Sequence, residues 1–304
     1  MDDRSGGLIQ RAAERLRAAQ RAAVGVLPAA PAAVAEPDAA PQVLAPPIVP
    51  PRPLPEPSPE EAEAQRTRRE AKIDRQRLAK SGITFAVTER SRIAEEFRII
   101  LRQILAKAET IETGPSRLIM VTSARPREGK TFTAINLALA IASQRDFRVL
   151  VMDCDVERQS LTSILGIDAD EGLFDVLEKE SLDMRDILLR TDIPNLTVLP
   201  AGRRRPGVPE LMSSRRMRDV LSEMAHRYAD RYIIVDAPPC LATSDPSILA
   251  SMVGQIVFVV EANRTQEPEI DESLRLISTC PHISLILNKT EGTSSDYFGS
   301  YGYY

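Results

Sequence analysis

The strongest constraint in the sequence is a Gly-Lys-Thr motif set between an apolar run and a long apolar helix pattern. Residues 118–121 read LIMV, residues 124–131 read ARPREGKT, and residues 132–142 read FTAINLALAIA. A strand, this type of loop and a helix in that order form a P-loop, whose backbone N–H groups and positive helix end hold phosphates. The sequence therefore predicts a buried strand and a buried helix that flank an anion-binding loop.

We predict that the whole loop contacts a nucleotide. Lys130 would reach the β- and γ-phosphates, and the Thr131 hydroxyl would bind Mg²⁺. Arg127 stands where a glycine would fit more easily, so its side chain must point away from the phosphates. The predicted nucleotide-binding residues are Ala124, Arg125, Pro126, Arg127, Glu128, Gly129, Lys130, Thr131, Phe132 and Asn288.

Acidic residues end two further apolar runs. Residues 149–155 read VLVMDCD and residues 232–239 read YIIVDAPP, which places Asp153, Asp155 and Asp236 at strand ends. The carboxyl ends of parallel strands meet at one edge of the sheet, where ligands bind. We therefore predict Lys130, Asp153, Asp155 and Asp236 as catalytic residues. Thr131, Asp155 and Asp236 are the predicted Mg²⁺ ligands.

Short apolar runs alternate with helical patterns through most of the chain. The predicted strands are residues 118–121, 149–152, 196–199, 232–235, 256–260 and 283–287. Runs that are apolar at consecutive positions suit strands that are buried on both faces. The alternation predicts an α/β fold of the P-loop NTPase type, with a mostly parallel sheet and helices on both faces.

The flanking regions differ in composition from this domain. Twelve of the 23 prolines lie between Pro28 and Pro59, and four of the six tyrosines lie in the last eight residues. An Ala/Pro-rich segment buries too little apolar surface to offset the entropy of ordering. The predicted organisation is a short helix at 1–24, a disordered linker at 25–59, a charged helical connector at 60–82, the P-loop domain at 83–290 and a flexible tail at 291–304.

Charge and cysteine content restrict the setting of the chain. The net charge of −4 excludes the strongly basic profile of a dedicated nucleic-acid coat, so no nucleic-acid partner is expected. The three cysteines are far apart, which favours a reducing compartment over a disulfide scaffold. No signal peptide is recognisable, and no run approaches the roughly 20 apolar residues of a spanning helix. We therefore expect a cytoplasmic protein.

Three functions remain compatible with these motifs. An ATPase switch of the MinD/ParA type would carry a signature lysine where this chain has Arg125. A small-molecule kinase or GTPase could use Asn288 as a base contact, because residues 288–291 read NKTE and partly match a guanine motif. A protein-tyrosine kinase could phosphorylate Tyr297, Tyr301, Tyr303 and Tyr304 of the tail. Tyrosine titrates near pH 10, so Asp153 is the candidate base, in a role exchangeable with Asp155.

The P-loop, the VLVMDCD and YIIVDAPP strands and the tyrosine tail, in this order, resemble the bacterial tyrosine kinases of polysaccharide export. The wider pattern from residue 83, with IAEEFRIILRQIL, LTVLPAG and the YGYY ending, is similar to the exosortase-associated tyrosine autokinases. The resemblance implies ATP and Mg²⁺ as cofactors, tail autophosphorylation in trans and control of exopolysaccharide polymerisation or export. It also implies a ring-like homo-oligomer, a cognate tyrosine phosphatase and a separate membrane activator of the chain-length-determinant type, which recruits the cytoplasmic kinase to the membrane. The alternative is a MinD/ParA-like ATPase switch or a nucleotide-binding regulator without kinase activity.

Several positions depart from the family pattern. Glu157 stands in place of an arginine and Gln159 in place of a proline after the second acidic motif. The family's self-association motif has Glu followed by Arg at three and six residues. Glu95 and Arg98 match it, whereas the last arginine is one residue later, at Arg102. We predict these three residues as the oligomerisation contacts.

Overall fold

A computed structural model describes five segments of the chain: residues 69–83, 92–111, 114–156, 160–228 and 230–290. The predicted N-terminal helix, the proline-rich linker and the tyrosine tail lie outside these residues, as do Glu157 and Gln159. No helix in the described segments is both long enough and apolar enough to cross a bilayer.

Eight strands form a single sheet within the described residues. They are β1 (Glu70–Ala71), β2 (Leu118–Ser123), β3 (Arg148–Asp153), β4 (Leu189–Thr191), β5 (Leu196–Leu199), β6 (Arg231–Asp236), β7 (Gln255–Glu261) and β8 (Ile283–Asn288). Their order across the sheet is β1-β4-β5-β3-β6-β2-β7-β8. Every neighbouring pair is parallel except β4 and β5. The predicted mostly parallel α/β sheet is confirmed.

Helices connect most of these strands. They are α1 (Arg75–Lys80), α2 (Arg92–Thr110), α3 (Lys130–Ala142), α4 (Ser160–Leu165), α5 (Leu173–Glu178), α6 (Met184–Ile187), α7 (Val208–Ser213), α8 (Arg215–Arg227), α9 (Asp245–Ala250) and α10 (Glu267–Leu276). The helix α3 is buried along nearly its whole length. Its largely apolar sequence is explained by this burial, because the helix packs against β2, β3, β5, β6 and β7.

Two apolar cores cover the two faces of the sheet. Along β2, Leu118 and Met120 belong to the core that includes α8 and α9, whereas Ile119 and Val121 belong to the core that includes α2 and α3. Successive residues of a strand point to opposite faces. A strand between two cores must therefore be apolar at every position, as the sequence pattern predicted.

The described part of the predicted charged connector at 60–82 contains a strand as well as a helix. Residues 70–71 form β1, which pairs with β4, and α1 begins after Asp74, whose side chain caps it. Ile73 and Leu78 are each only 2% exposed and belong to the core beside α2 and α3. Two isolated apolar residues in a charged stretch gave no periodic signal, although they are enough to attach this segment to the domain.

The central strands bring the predicted site together. Strands β3, β6 and β2 are neighbours in the sheet, and Asp153 lies opposite Asp236 in the register of β3 and β6. The loop that follows β2 leads directly into α3. The phosphate loop and the acidic strand ends therefore share one edge of the sheet.

Candidate nucleotide site

The phosphate loop turns sharply into α3 at Gly129. This residue has a left-handed backbone, with φ of 104°. A Cβ atom placed there would collide with the side-chain amide of Asn288. Glycine is therefore required at this position by both backbone conformation and space. The helix begins at Lys130, so the first N–H groups of α3 face the loop.

Lys130 is buried between carboxylates. Its side chain is 4% exposed, and its Nζ atom lies 2.6 Å from Asp155 Oδ2 and 3.7 Å from Asp236 Oδ1. Burial alone would lower the pKa of Lys130, but the negative charges of Asp236 and Asp155 raise it above its usual value. The predicted phosphate-binding lysine is thus charged, and it is held by an acidic cluster that consists of Asp153, Asp155 and Asp236.

Asp153 and Asp236 form the most deeply buried part of this cluster, since both are fully buried. The backbone N–H of Asp155 donates to Asp153 Oδ1 at 3.0 Å. Within the described residues, Asp153 Oδ2 and both carboxylate oxygens of Asp236 accept no hydrogen bond of normal geometry. Burial, and then the charge of Asp236, raise the pKa of Asp153 well above its usual range. Burial also raises the pKa of Asp236, which Lys130 partly offsets.

These oxygens fit a magnesium ion that arrives with a nucleotide. Within the described ranges, no group of three or more His, Cys, Asp or Glu side chains is arranged to hold a metal ion. Magnesium is usually held by one or two carboxylates together with substrate phosphates. Thr131, the next residue after Lys130, adds a hydroxyl that is itself nearly buried. The donor set therefore suits a metal–nucleotide complex and does not suit a protein-only metal centre.

Glu128 is also buried, at 2% exposure, but its carboxylate has partners on both sides. The backbone N–H of Arg125 donates to Oε2 at 2.8 Å, and the Thr265 hydroxyl donates to Oε1. Thr265 Oγ1 in turn accepts from the backbone N–H of Glu261 at 3.0 Å. Burial raises the pKa of Glu128, and these hydrogen bonds oppose that rise. Glu128 therefore connects the phosphate loop to the end of β7.

The end of β8 supports the same loop. Asn288 Nδ2 donates to the carbonyl of Glu128 at 2.8 Å, and Lys289 Nζ donates to the carbonyl of Arg127 at 2.6 Å. Arg127 has a φ of 71°, a left-handed conformation that is costly for a residue other than glycine. The lysine contact helps to hold that conformation. Asn288 is thus a support of the loop, and its contact with a base stays a prediction.

Other predicted residues lie away from the acidic cluster or have different partners. The ring of Phe132 packs edge-on against Phe97 of α2, with centroids 6.1 Å apart. Glu95 and Arg98 form an ion pair of 2.5 Å within α2, and Arg102 is exposed. The guanidinium of Arg125 is paired with Glu269 of α10. The predicted phosphoacceptor tyrosines lie outside the described residues.

Sequence reasoning missed three residues of this region. Thr265 and Lys289 contact loop residues that are more than 130 positions earlier in the chain. Asp245, at the start of α9, is 3% exposed, and its Oδ1 has no hydrogen-bond partner among the described residues. Burial raises the pKa of Asp245, and so does the nearby charge of Asp155. Thr265 and Asp245 belong to no recognisable local motif, and the NKTE stretch gives no sign that Lys289 contacts Arg127, so only the fold reveals these three positions.

A family profile described as an AAA domain matches residues 116–266, which include the loop and all three strand-end aspartates. Tyrosine-protein kinase YwqD of Bacillus subtilis is 31% identical over 186 residues, which are 60% of this chain and 77% of that protein. Tyrosine-protein kinase wzc of Salmonella typhimurium is 31% identical over 159 residues, or 52% of this chain. Tyrosine-protein kinase ptk of Acinetobacter johnsonii is 29% identical over 54% of this chain. The chain spans only 22% of the length of each of the last two relatives.

Two solved kinase domains are also similar to this chain. The kinase domain of the Escherichia coli tyrosine kinase ETK is 25% identical, with a TM-score of 0.61 over 81% of this chain and 99% of that domain. The kinase domain of VpsO is 28% identical, with a TM-score of 0.54 over 66% of this chain and 100% of that domain. The α/β architecture described above is therefore shared with both kinase domains.

Proposed function

The chain belongs to the bacterial tyrosine-protein kinase family, and on that basis we propose that it is an ATP-dependent protein-tyrosine autokinase. It transfers the γ-phosphoryl group of ATP to Tyr297, Tyr301, Tyr303 and Tyr304 in the tail of another copy of the chain. The observation that carries this proposal is the buried cluster of Lys130, Asp155 and Asp236 beside the phosphate loop, in which neither carboxylate oxygen of Asp236 has a hydrogen-bond partner among the described residues. A buried acidic cluster of this kind suits a cationic ligand that neutralises it.

Nucleotide binding requires Lys130 to change partner. In the described arrangement its ammonium is hydrogen-bonded to Asp155. The loop N–H groups and Lys130 would hold the β- and γ-phosphates. Thr131, Asp155 and Asp236 would hold Mg²⁺, which supplies positive charge against the phosphate oxygens. The lysine therefore exchanges a carboxylate for a phosphate when the nucleotide enters.

Asp153 is the proposed base. When it is ionised, its raised pKa makes it a stronger proton acceptor than an exposed aspartate, and the tyrosine hydroxyl is too weak an acid to ionise unaided at neutral pH. As the tyrosine oxygen bonds to the γ-phosphorus and the bond to ADP breaks, the hydroxyl proton passes to Asp153. Most of the rate acceleration comes from positioning and electrostatic stabilisation by the loop and Lys130.

Phosphorylation of the tail would regulate assembly. Each phosphate adds roughly −1.5 to −2 charges, so four phosphotyrosines add on the order of −6 to −8 to one tail. Such a tail would be repelled from the acidic cluster of a neighbouring copy. We propose that Glu95, Arg98 and Arg102 contribute to a ring-like homo-oligomer. Because Glu95 and Arg98 already pair within α2, the ring would have to share or replace that ion pair.

The family membership also supports a cellular role. We propose a cytoplasmic kinase that a membrane activator of the chain-length-determinant type recruits, and that a cognate tyrosine phosphatase resets. The cycle would regulate exopolysaccharide polymerisation or export. This role and these partners follow from the proposed autokinase and are tested after it.

The decisive experiment incubates the purified full chain with ATP and Mg²⁺ and maps the phosphorylated residues by mass spectrometry. We expect phosphotyrosine in the tail, and we expect Lys130→Met to abolish it. Lys80→Met is the matched control, because Lys80 is an exposed residue of α1 and its loss should change nothing. Phosphate release without protein phosphorylation would support an ATPase switch instead. Nucleotide binding without either activity would support a nucleotide-binding regulator.

A further inference from the structure

Three large apolar side chains are more than one-third exposed in the part of the chain that the structure describes. They are Ile99 at 38%, Leu241 at 40% and Leu276 at 39%. Scattered exposed leucines are normal on protein surfaces and need no explanation in themselves. Their locations differ, however. Ile99 lies on α2 and Leu276 ends α10, whereas Leu241 lies in the loop between β6 and α9 that follows Asp236.

Leu241 is fixed against the phosphate loop. Its backbone N–H donates to the carbonyl of Ala124, the first loop residue, at 3.1 Å. The preceding N–H, of Cys240, donates to the carbonyl of Ser123 at 2.8 Å. The Thr122 hydroxyl donates to the carbonyl of Pro238 at 2.7 Å. Three hydrogen bonds thus tie the β6–α9 loop to the end of β2, and the backbone of Leu241 is held beside the first residue of the phosphate loop.

The acidic cluster leaves the acceptor without an apolar contact. Its members, together with Lys130 and Thr131, are polar side chains that can act on a hydroxyl but give an aromatic ring no apolar surface to pack against. Leu241 is five residues after Asp236 on the same segment and presents a partly exposed apolar side chain beside the loop. An aromatic ring that reaches the cluster from the Ala124 side would cover this leucine.

The sequence after the described residues supplies such rings. Strand β8 ends at Asn288, which contacts the phosphate loop, so the chain leaves the described region at the same edge of the sheet. The next 14 residues include all four tail tyrosines. At roughly 3.3–3.6 Å per extended residue, such a segment spans up to about 50 Å. That length is ample for a tail to reach a site of this kind in an adjacent copy.

We propose that Leu241 is a specificity-determining residue that packs against the aromatic ring of the acceptor tyrosine. It favours an acceptor with a ring over serine or threonine, whose side chains are too short to cover the leucine while they present a hydroxyl to the cluster. This inference rests on the proposed autokinase activity. It predicts a contact that affects acceptor binding and leaves nucleotide binding unchanged.

The test separates enzyme from substrate. The enzyme is the full chain with Tyr297, Tyr301, Tyr303 and Tyr304 replaced by phenylalanine, at saturating ATP and Mg²⁺. The substrate is a peptide of residues 291–304, supplied over a range of concentrations. Leu241→Asn removes the apolar contact with little change in size, and Leu276→Asn makes the same change at the far end of α10. Leu241→Met restores an apolar side chain.

We expect Leu241→Asn to raise KM for the peptide roughly three- to tenfold, the factor that partial burial of a leucine supplies. The kcat and the affinity for a fluorescent ADP analogue should stay within twofold, Leu241→Met should restore KM, and Leu276→Asn should match the parent. An unchanged KM in Leu241→Asn would overturn the role of Leu241 but not the proposed function. A nucleotide affinity that weakens by the same factor as KM rises would do the same. A parent chain that leaves the peptide unphosphorylated would contradict the proposed function itself.

Discussion

Two sets of buried carboxylates surround the same phosphate loop, and they differ in how they are satisfied. Glu128 accepts hydrogen bonds on both oxygens, from Arg125 and Thr265. Asp153 and Asp236 are equally buried, but three of their four oxygens accept none within the described residues. Leaving a buried charged group without partners is costly. The difference indicates that Glu128 is a structural support, whereas the aspartates await a ligand.

The two sets of carboxylates also differ in the groups that stabilise their negative charge. Glu128 is stabilised by neutral donors within the fold, so its surroundings are complete without a nucleotide. Asp236 and Asp155 instead share the buried cation Lys130. In the proposed mechanism the ammonium group of Lys130 would leave Asp155 and bind a phosphate of the nucleotide. The acidic cluster is therefore less well satisfied before nucleotide binding than after it. Sites that keep such an imbalance are typical of function rather than stability.

The largest expected effect comes from removing one of the unsatisfied carboxylates. Asp236→Asn should lower tail phosphorylation by about 10²–10³-fold or more, because it removes a charge that would hold the metal–nucleotide complex in the proposed mechanism. The melting temperature of the nucleotide-free chain should not fall, because burial disfavours the charge of Asp236 more than Lys130 favours it, and Lys130 keeps its ion pair with Asp155. Asp219→Asn, an exposed position on α8, should leave both values unchanged. A large loss of stability in Asp236→Asn would show that this aspartate, like Glu128, is a structural support.

The acidic cluster was predictable from the sequence because each of its aspartates follows a local pattern. An aspartate at the end of an apolar strand lies at the ligand-binding edge of a parallel sheet, whatever the rest of the fold does. The support of the loop follows no such rule. Thr265 and Lys289 reach Glu128 and Arg127 only because β7 and β8 lie next to β2 in the sheet. Single polar residues at such distances along the chain carry no signal in one sequence.

The fold shows the same contrast. Strands β2, β3 and β7 were predictable because burial on both faces requires continuous apolar runs. Strands β1 and β4 were missed. They are two and three residues long, and their strand conformation depends on pairing with each other and with β5. Strands this short take their structure from tertiary contacts rather than from intrinsic propensity.

A second prediction tests the support of the loop directly. Thr265→Val removes the hydroxyl that donates to Glu128 and accepts from the N–H of Glu261. A buried carboxylate oxygen then loses its donor, which should cost about 1–3 kcal/mol of unfolding free energy. The melting temperature should fall by about 2–4 °C for each kcal/mol, and the affinity for a fluorescent ADP analogue should weaken. Thr265→Ser keeps the hydroxyl and is the matched control. If Thr265→Val has the same melting temperature as the parent, the hydrogen bond between Thr265 and Glu128 does not stabilise the loop.

The last prediction, and the sharpest contrast between the two sets of carboxylates, concerns the pH dependence of stability rather than activity. Burial and the charge of Asp236 raise the pKa of Asp153, so folding favours the protonated form. The stability that this protonated form provides is complete below the unfolded pKa of about 3.9 and is lost as the pH rises through the folded pKa. An asparagine side chain cannot ionise, so Asp153→Asn should match the parent near pH 4 and exceed it at pH 8. The gain is about 1.4 kcal/mol for each unit of pKa elevation, measured by urea unfolding without nucleotide.

The same neutralising change at Glu128 gives the opposite expectation. Glu128→Gln leaves one side-chain oxygen where the carboxylate has two, so either the N–H of Arg125 or the hydroxyl of Thr265 loses its acceptor. We expect this variant to be less stable than the parent at pH 8, whereas Asp153→Asn is more stable, although both remove one buried negative charge. If both variants gained stability alike, burial alone would govern these carboxylates and the distinction between support and ligand site would fail. Opposite signs would mean that hydrogen-bond partners, rather than depth, decide which buried acids serve the fold and which await the nucleotide.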